Sequence, residues 1–327
     1  GIQLTSMSAG GPANIYNNLI SGLSAPSASS SSATSPTLRG INITSTTTSS
    51  AIAVSYNTVR VDGSSTGTNF ATTALYVSTS TVATTSTLTL RNNIFVNLAT
   101  PAGTGNAVAY QRSSTSLTNY SNDSNNNLFY AGAPGANNLV FFEGTNADQT
   151  LSNFKSRVTP ADALSVTENP TFLSLTGASP DFLHIDPTVP TQVESGAVNL
   201  AGIEVDFDMQ VRQGNMGYAG TGSAPDIGAD EGEFILVDLS GPAISYTDIP
   251  NSICITPIAL STDITDATGV NTAGGTKPRI WFKKSTEMNV LPATNTSASD
   301  GWKYVEASNA ASPFTFSLDY SLLTSPV

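Results

Sequence analysis

Few residues of this chain are equipped for chemistry. His184 is the single histidine. It stands in Asp181-Phe-Leu-His-Ile-Asp186 just before Pro187, and no serine or cysteine nucleophile is near it in sequence, as a nucleophile–base pair would require. It reads as a strand residue. Acid–base cleavage would need either a Lys or Arg base beside acids, or a pair of facing carboxylates. Residues 1–147 offer only Asp62, Asp123 and Glu143 as acids and Arg39, Arg60, Arg91 and Arg112 as bases. Arg60 and Asp62 can share a face, but no constellation forms, and no catalytic residue is assigned. The segment 204–238 is different. It carries eight acids (Glu204, Asp206, Asp208, Asp226, Asp230, Glu231, Glu233, Asp238) and one base, Arg212. Asp206-Phe-Asp208 is a loose Ca²⁺-ligand spacing without the Gly and distal Glu of a calcium loop. The favoured reading is a closing cap in which Arg212 pairs with Asp208 or Asp226; Ca²⁺ near Asp206 and Asp208 is the alternative.

The rest of the composition explains why such groups are scarce. Of 327 residues, 11% are charged, against roughly 25% in ordinary soluble domains. Their place is taken by 43 Ser, 43 Thr and 27 Asn. Hydrophobic residues make up 39%, enough for a core and too many for a disordered tract. The net charge of −12 falls almost wholly after residue 147. Without clustered Lys and Arg, nucleic acid is a poor partner, and no run of eighteen apolar residues predicts a membrane span. The neutral first half, rich in hydroxyls and amides, suits water, ice, neutral glycans or copies of itself. Cys254 is alone, so no internal disulfide is possible. A low-Lys chain rich in Ser, Thr and Asn is typical of exported bacterial proteins.

The elements that position these residues are read from a repeat. Ile15-Tyr-Asn-Asn-Leu-Ile20, Ser55-Tyr-Asn-Thr-Val-Arg60, Leu90-Arg-Asn-Asn-Ile-Phe95 and Ser124-Asn-Asn-Asn-Leu-Phe129 align without gaps, placing Asn at 17, 57, 92 and 126. A second series sets Ile41, Leu75, Val108 and Val140 at a similar period. Alternating stretches such as Ala51-Ile-Ala-Val-Ser and Thr87-Leu-Thr-Leu-Arg read as short strands, separated by Gly/Ser/Thr/Asn turns. No segment shows a capped helical period. Short strands at a fixed long period predict a solenoid whose coils bury their apolar rows by stacking. Asn17, Asn57, Asn92 and Asn126 are expected to form an internal amide ladder, since Asn tolerates left-handed turns and stacked amides bond from coil to coil. Leu19, Val59, Ile94 and Leu128 are expected to point inward. The Thr-rich runs 79–81 and 84–89 do not recur in register and read as surface loops rather than an ice-binding array.

These repeats resemble right-handed parallel β-helix proteins of the pectate-lyase-like superfamily. The stretch Thr150-Leu-Ser-Asn-Phe-Lys, then Val166-Thr-Glu-Asn-Pro-Thr-Phe-Leu173, Phe182-Leu-His-Ile-Asp186 and Ala224-Pro-Asp-Ile-Gly-Ala-Asp-Glu231 is similar to the close of such domains in secreted Bacteroidetes proteins. After Ser240, strand candidates Gly241–Tyr246, Ile253–Ile258, Arg279–Lys283, Trp302–Glu306 and Phe314–Leu318 resemble an Ig-like sandwich whose last strands are missing. The expected fold is all-β: a β-helix over 1–238, closed by the acidic segment 148–238, then an Ig-like module over 239–327. The resemblance fixes no activity, since the superfamily includes lyases, hydrolases, adhesins and structural fibres; the regular repeat, the lack of a catalytic cluster and the tandem module lead to the expectation of a non-enzymatic, secreted or cell-surface, adhesin-like rod, and the resemblance implies export by the type IX secretion system. Neutral glycans or other surface and secretion proteins would be its partners, with no membrane insertion. A carbohydrate-active enzyme with its site outside this segment, or a passive glycan-binding module, is the alternative.

Overall fold

The computed structural model describes residues 1–5, 7, 11–44, 50–78, 87–249, 256–266 and 269–324. The chain divides into two compact units, Gly1–Val237 and Asp238–Val327.

The first unit is a β-solenoid of about three turns, consistent with a parallel β-helix. Its first coil is β1 (Ile2–Leu4), β2 (Pro12–Tyr16) and β3 (Leu19–Ile20); the second is β4 (Leu38–Ile43), β5 (Ala51–Ser55) and β6 (Thr58–Val61); the third is β7 (Thr72–Val77), β8 (Thr87–Arg91) and β9 (Ile94–Asn97). β10 (Ala107–Arg112) and β11 (Leu128–Tyr130) continue the stack, followed by β12 (Asn138–Phe142) and the short β13 (Ala147–Asp148). Strands one coil apart pair in parallel, giving sheets β1-β4-β7-β10-β12, β2-β5-β8 and β3-β6-β9-β11. One coil cannot bury its single apolar row; stacking joins the rows into one core. Ile41, Leu75, Tyr110 and Phe141 stand side by side in the first sheet, so the expected Val108 is displaced by two residues and lies beside Thr73 and Leu139.

The sheet β3-β6-β9-β11 corrects the inward row. Its register pairs Ile20 with Val59, Val59 with Phe95 and Phe95 with Phe129, and these four enter the solenoid core. Leu19, Thr58, Ile94 and Leu128 form the neighbouring row. Side chains alternate faces along a strand, so of the four residues expected inside only Val59 lies there. Ile94 and Leu128 join a second apolar cluster with Tyr56, Ile185, Val193 and Ile227. The outer face of this sheet is therefore not solvated: residues from 166 to 234 run over it.

A helix, α1 (Leu151–Val158), closes the far end of the stack, where the sequence had given no helical expectation. Thr150 caps it, its Oγ1 accepting the Asn153 N–H at 3.3 Å, which satisfies one of the orphan amides of the first turn. Leu151, Phe154 and Val158 are buried. The Phe154 ring meets Phe141 at 5.1 Å, Phe129 at 5.4 Å and Tyr110 at 6.0 Å between centroids.

The second unit holds an antiparallel sheet of β14 (Ala243–Tyr246), β15 (Ile258–Thr265) and β18 (Phe314–Leu318), with a hairpin of β16 (Arg279–Phe282) and β17 (Lys303–Glu306). Ile264, Ala307, Phe314 and Phe316 form its core. A strand is described over Ile258–Thr265; of the strand expected over 253–258, residues 253–255, Cys254 among them, lie outside the described residues, as do Thr79–Thr81 and Thr84–Ser86 of the Thr-rich runs.

Candidate functional site

Two adjacent asparagine positions divide the work that the sequence assigned to one. Asn17, Tyr56, Asn92 and Asn126 have φ of 53°, 52°, 59° and 57°. This is the left-handed region, which Asn tolerates because its short side chain bonds locally. The residue after each of these, Asn18, Asn57, Asn93 and Asn127, forms the ladder. Asn18 Nδ2 donates to Asn57 Oδ1 at 2.8 Å, Asn57 Nδ2 to Asn93 Oδ1 at 2.9 Å, and Asn93 Nδ2 to Asn127 Oδ1 at 2.9 Å. Of the expected set, Asn57 is a rung, whereas Asn17, Asn92 and Asn126 are not. The gapless alignment anchored on Asn57 missed that Tyr56 occupies the left-handed position in that coil. The signal lay in the doublets Asn17-Asn18, Asn92-Asn93 and Asn126-Asn127.

The left-handed positions turn outward and hold the covering segment. Asn126 Nδ2 donates to the Gly196 carbonyl at 2.9 Å. Asn92 Nδ2 and the Tyr56 hydroxyl both donate to the Val198 carbonyl at 2.7 Å, and Asn17 Nδ2 to the Val205 carbonyl at 2.7 Å. A single stretch, 196–205, thus bonds coils from the last to the first. It returns at Gly228, whose N–H donates to the Asn92 carbonyl at 2.8 Å, while the Ala229 N–H donates to Thr58 Oγ1 at 2.9 Å. Only glycine fits at 228: φ is +101°, and a Cβ would sit 2.6 Å from Ile94 Cδ1.

Arg212 locks this strap. It is fully buried. Its Nη1 donates to Glu231 Oε2 at 3.2 Å, and its Nη2 to Asn17 Oδ1 at 3.0 Å and the Gly228 carbonyl at 3.1 Å. The guanidinium lies 3.9 Å from the centroid of the Tyr56 ring, a geometry in which the ring quadrupole attracts a cation. The expected pairing with Asp208 or Asp226 is therefore corrected to Glu231. Asp208 is exposed, and Asp226 spends its oxygens on the Ser195 and Gly232 N–H groups at 2.8 and 2.9 Å. The place is corrected too: the clamp lies along the side of the coils, and α1 closes the end. Nothing in the local sequence distinguishes Glu231 from Asp226, since Glu231 reaches Arg212 only through the fold.

The clamp's acids are held in unusual states. Burial, then the Glu231 charge, pushes Asp226 up to about 8. Burial, with Asp208 alongside, pushes Asp206 up to about 7. Burial likewise raises Glu231, and here desolvation outweighs the Arg212 charge beside it. His184 is raised by its bond to Asp230, Nδ1 to Oδ1 at 3.1 Å.

Asp206, Asp208 and Asp230 each offer an oxygen within 4.8 Å of the others. Ca²⁺ takes about six to eight oxygens, and this set falls short of that. Asp206 Oδ1 already accepts the N–H groups of Asp208 and Gln210, and Oδ2 that of Glu231. Asp230 Oδ2 accepts the Ile185 N–H at 2.8 Å, and the His184 donor points at its other oxygen. Asp206 and Asp230 are thereby tied into the hydrogen-bonded clamp.

Elsewhere, Arg60 Nε pairs with Asp62 at 3.0 Å and Arg91 Nε donates to the Asp123 carbonyl at 2.9 Å; neither joins a cluster of acids. Beside the clamp lies a pocket of about 370 Å³ whose walls include Gln210, Gly217, Tyr218, Gly220 and Glu233. Glu233 there accepts bonds from the Thr221 N–H at 2.6 Å and the Tyr218 hydroxyl at 3.3 Å. The molecule is thus a clamped β-solenoid joined in one chain to a smaller all-β unit. The chain matches no known protein family, no curated protein and no solved structure.

Proposed function

We propose that this chain is a non-enzymatic part of a secreted or cell-surface bacterial protein, in which the stacked coils act as a stiff, adhesin-like spacer. The finer reading is a pectate-lyase-like β-helix of Bacteroidetes type followed by an Ig-like module, exported by type IX secretion. One observation carries the non-enzymatic reading. The buried charges Arg212, Asp206, Asp226, Asp230 and Glu231 are each bonded to backbone amides, carbonyls or one another; Glu231 and Glu233 both line the pocket, but Glu231 already accepts from Arg212 and the Gln213 and Asp226 N–H groups and Glu233 from Thr221 and Tyr218, so neither is left free for proton transfer. Buried groups spent in this way hold coils together under load. The partners proposed are neutral glycans and other surface or secretion-system proteins, met by the Ser/Thr/Asn loops.

The test is adhesion with turnover measured in parallel. Beads coated with the protein should bind host or biofilm surfaces, and a panel of pectin, alginate and neutral glycans should release no unsaturated or reducing ends. Released ends would replace this reading with a carbohydrate-active enzyme. A second reading, passive glycan binding, is favoured by the Tyr218–Glu233 pocket, whose ring, carboxylate and size suit a sugar. Array binding that is lost in Tyr218→Ala would support it.

A further inference from the structure

The hairpin of the second unit carries an exposed aromatic pair. Its register sets Arg279 opposite Glu306 and Trp281 opposite Tyr304. Ile280 and Val305, which alternate with them, pack on the core of that unit. Side chains alternate faces along a strand, so Arg279, Trp281, Tyr304 and Glu306 stand together on the outer face. The Trp281 and Tyr304 rings lie 4.9 Å apart between centroids, inclined by 50°. The Arg279 guanidinium lies 4.4 Å from the Tyr304 centroid and pairs with Glu306 Oε1 at 2.8 Å. Trp281 is 40% exposed.

The polar atoms around these rings are only half used. Arg279 Nε and Nη2 both donate to Glu306 Oε1, and Nη2 also to the Gly275 carbonyl. Among the described residues, Trp281 Nε1, the Tyr304 hydroxyl, Arg279 Nη1 and Glu306 Oε2 have no hydrogen-bond partner. The edge of the hairpin beside Tyr304, by contrast, is closed. Asn295 Nδ2 donates to the Tyr304 carbonyl at 2.9 Å, and the Tyr304 N–H donates to Asn295 Oδ1 at 2.9 Å. An added strand would need both groups, so the hairpin offers its face rather than its edge.

The charges around the rings narrow the occupant. Residues 277–303 hold five bases, and four are spent: Arg279 on Glu306, Lys283 on the Lys284 and Glu287 carbonyls, Lys284 on Thr324 and Lys303 on Ser299. An anion would have to displace Glu306 from Arg279. A cation would meet the guanidinium already lying on Tyr304. What remains is a ligand that is neutral, apolar on one face and able both to donate and to accept hydrogen bonds at its rim. A pyranose ring has this chemistry: its C–H face suits the negative face of an aromatic ring, and each hydroxyl donates and accepts.

We propose that this face binds a neutral glycan, one sugar ring stacking on Trp281 while its hydroxyls bond the Tyr304 hydroxyl, Arg279 Nη1 and Glu306 Oε2. The proposal rests on the role given above only for the class of partner. It places the contact on the second unit, at neither the Ser/Thr/Asn loops nor the Tyr218–Glu233 pocket.

The test uses the full 327-residue chain, which has two tryptophans. Calorimetric titration with cellohexaose, mannohexaose, xylohexaose and maltohexaose is set beside an oligogalacturonate and a polyproline peptide. At least one neutral sugar should bind, and in Trp302→Phe, where Trp281 is the sole indole, it should shift the emission. Trp281→Ala should weaken binding about tenfold or more, as loss of an anchoring aromatic does, and Trp281→Phe should recover part of that. Tyr304→Phe should cost about two- to tenfold, as one lost hydrogen bond implies, and Tyr218→Ala should change nothing. No binding of any of the four sugars, undiminished affinity in Trp281→Ala, or tighter binding of the oligogalacturonate or polyproline would overturn the proposal. So would self-association in sedimentation that Trp281→Ala abolishes. Affinity lost in Tyr218→Ala but kept in Trp281→Ala would remove this site and leave glycan binding itself standing; the spacer role is judged separately, by bead adhesion.

Discussion

Replacing Arg212 by methionine keeps the length and apolar stem of the side chain and removes one charge. The buried Glu231 then loses its cation, Asn17 Oδ1 and the Gly228 carbonyl lose a donor, and the Tyr56 ring loses the guanidinium 3.9 Å above it. Removing one partner of a buried ion pair costs about 3–5 kcal/mol, a large share of the roughly 5–15 kcal/mol that holds a typical domain folded. Part of the loss is recoverable, since Glu231 can take up a proton once Arg212 is gone. The deficit should therefore be smaller at pH 5 than at pH 8, and Arg212→Met with Glu231→Gln should be more stable than Arg212→Met alone at pH 8. Urea unfolding followed by far-UV circular dichroism, fitted separately at the two pH values, measures all three quantities. A deficit below about 0.5 kcal/mol at both pH values, as for an ordinary surface substitution, would refute the clamp.

Four further outcomes follow from the same geometry. Asn93→Leu, which takes the Oδ1 acceptor from the buried Asn57 N–H and removes one donor each from the Val54 and Arg91 carbonyls and Asn127 Oδ1, should cost about 3 kcal/mol or more, a buried unsatisfied group costing about 1–3 kcal/mol and each further lost hydrogen bond about 0.5–1.5 kcal/mol; its neighbour Asn92→Ala should cost less, by the same urea assay. Gly228→Ala should lower stability by about 1–3 kcal/mol through backbone strain and collision with Ile94 and Thr58, read as a drop in melting temperature. Asp206 and Asp226, pushed up to about 7 and about 8, bind protons more tightly folded than unfolded. Their contribution is complete below the ordinary carboxylate range and is lost as pH rises to about 8, and raised His184 acts in the same sense. The urea midpoint of the solenoid should fall between pH 5 and pH 8, and Asp226→Asn should flatten that slope; a midpoint that climbs over this range would contradict it. Millimolar Ca²⁺ should leave the melting temperature unchanged, because Asp206 and Asp230 are already engaged by backbone and His184 donors.

What the sequence made legible was the part of the fold that repeats. Alternation in Ala51–Ser55 and Thr87–Arg91 marked strands that do pair, and the Asn-bearing segments marked the corners between them. The register was harder. A tyrosine can take the left-handed corner and replace an amide with a phenol, so the Tyr56-Asn57 pair aligned one residue out. A slip of one residue exchanges the two faces of a strand, which is why Ile94 and Leu128 were expected inside. Helix α1 was invisible for a different reason: eight residues with Leu151, Phe154 and Val158 on one face are too few for a period to stand out. The clamp was legible only as an excess of acid. Which carboxylate meets Arg212 depends on a segment that crosses coils more than a hundred residues earlier, and no local spacing encodes that.

The central claim is that Asn57, Asn93 and Asn127 stand in line inside the stack while Asn17, Asn92 and Asn126 face the strap. Side-chain amide hydrogen exchange, resolved by NMR on ¹⁵N-asparagine-labelled protein, addresses it directly. The Nδ2 hydrogens of Asn57, Asn93 and Asn127 should exchange only with global unfolding, and Arg212→Met should speed exchange at Asn17 well before it reaches Asn93. Fast exchange at Asn57 and Asn93, or equal protection across both sets, would contradict the account.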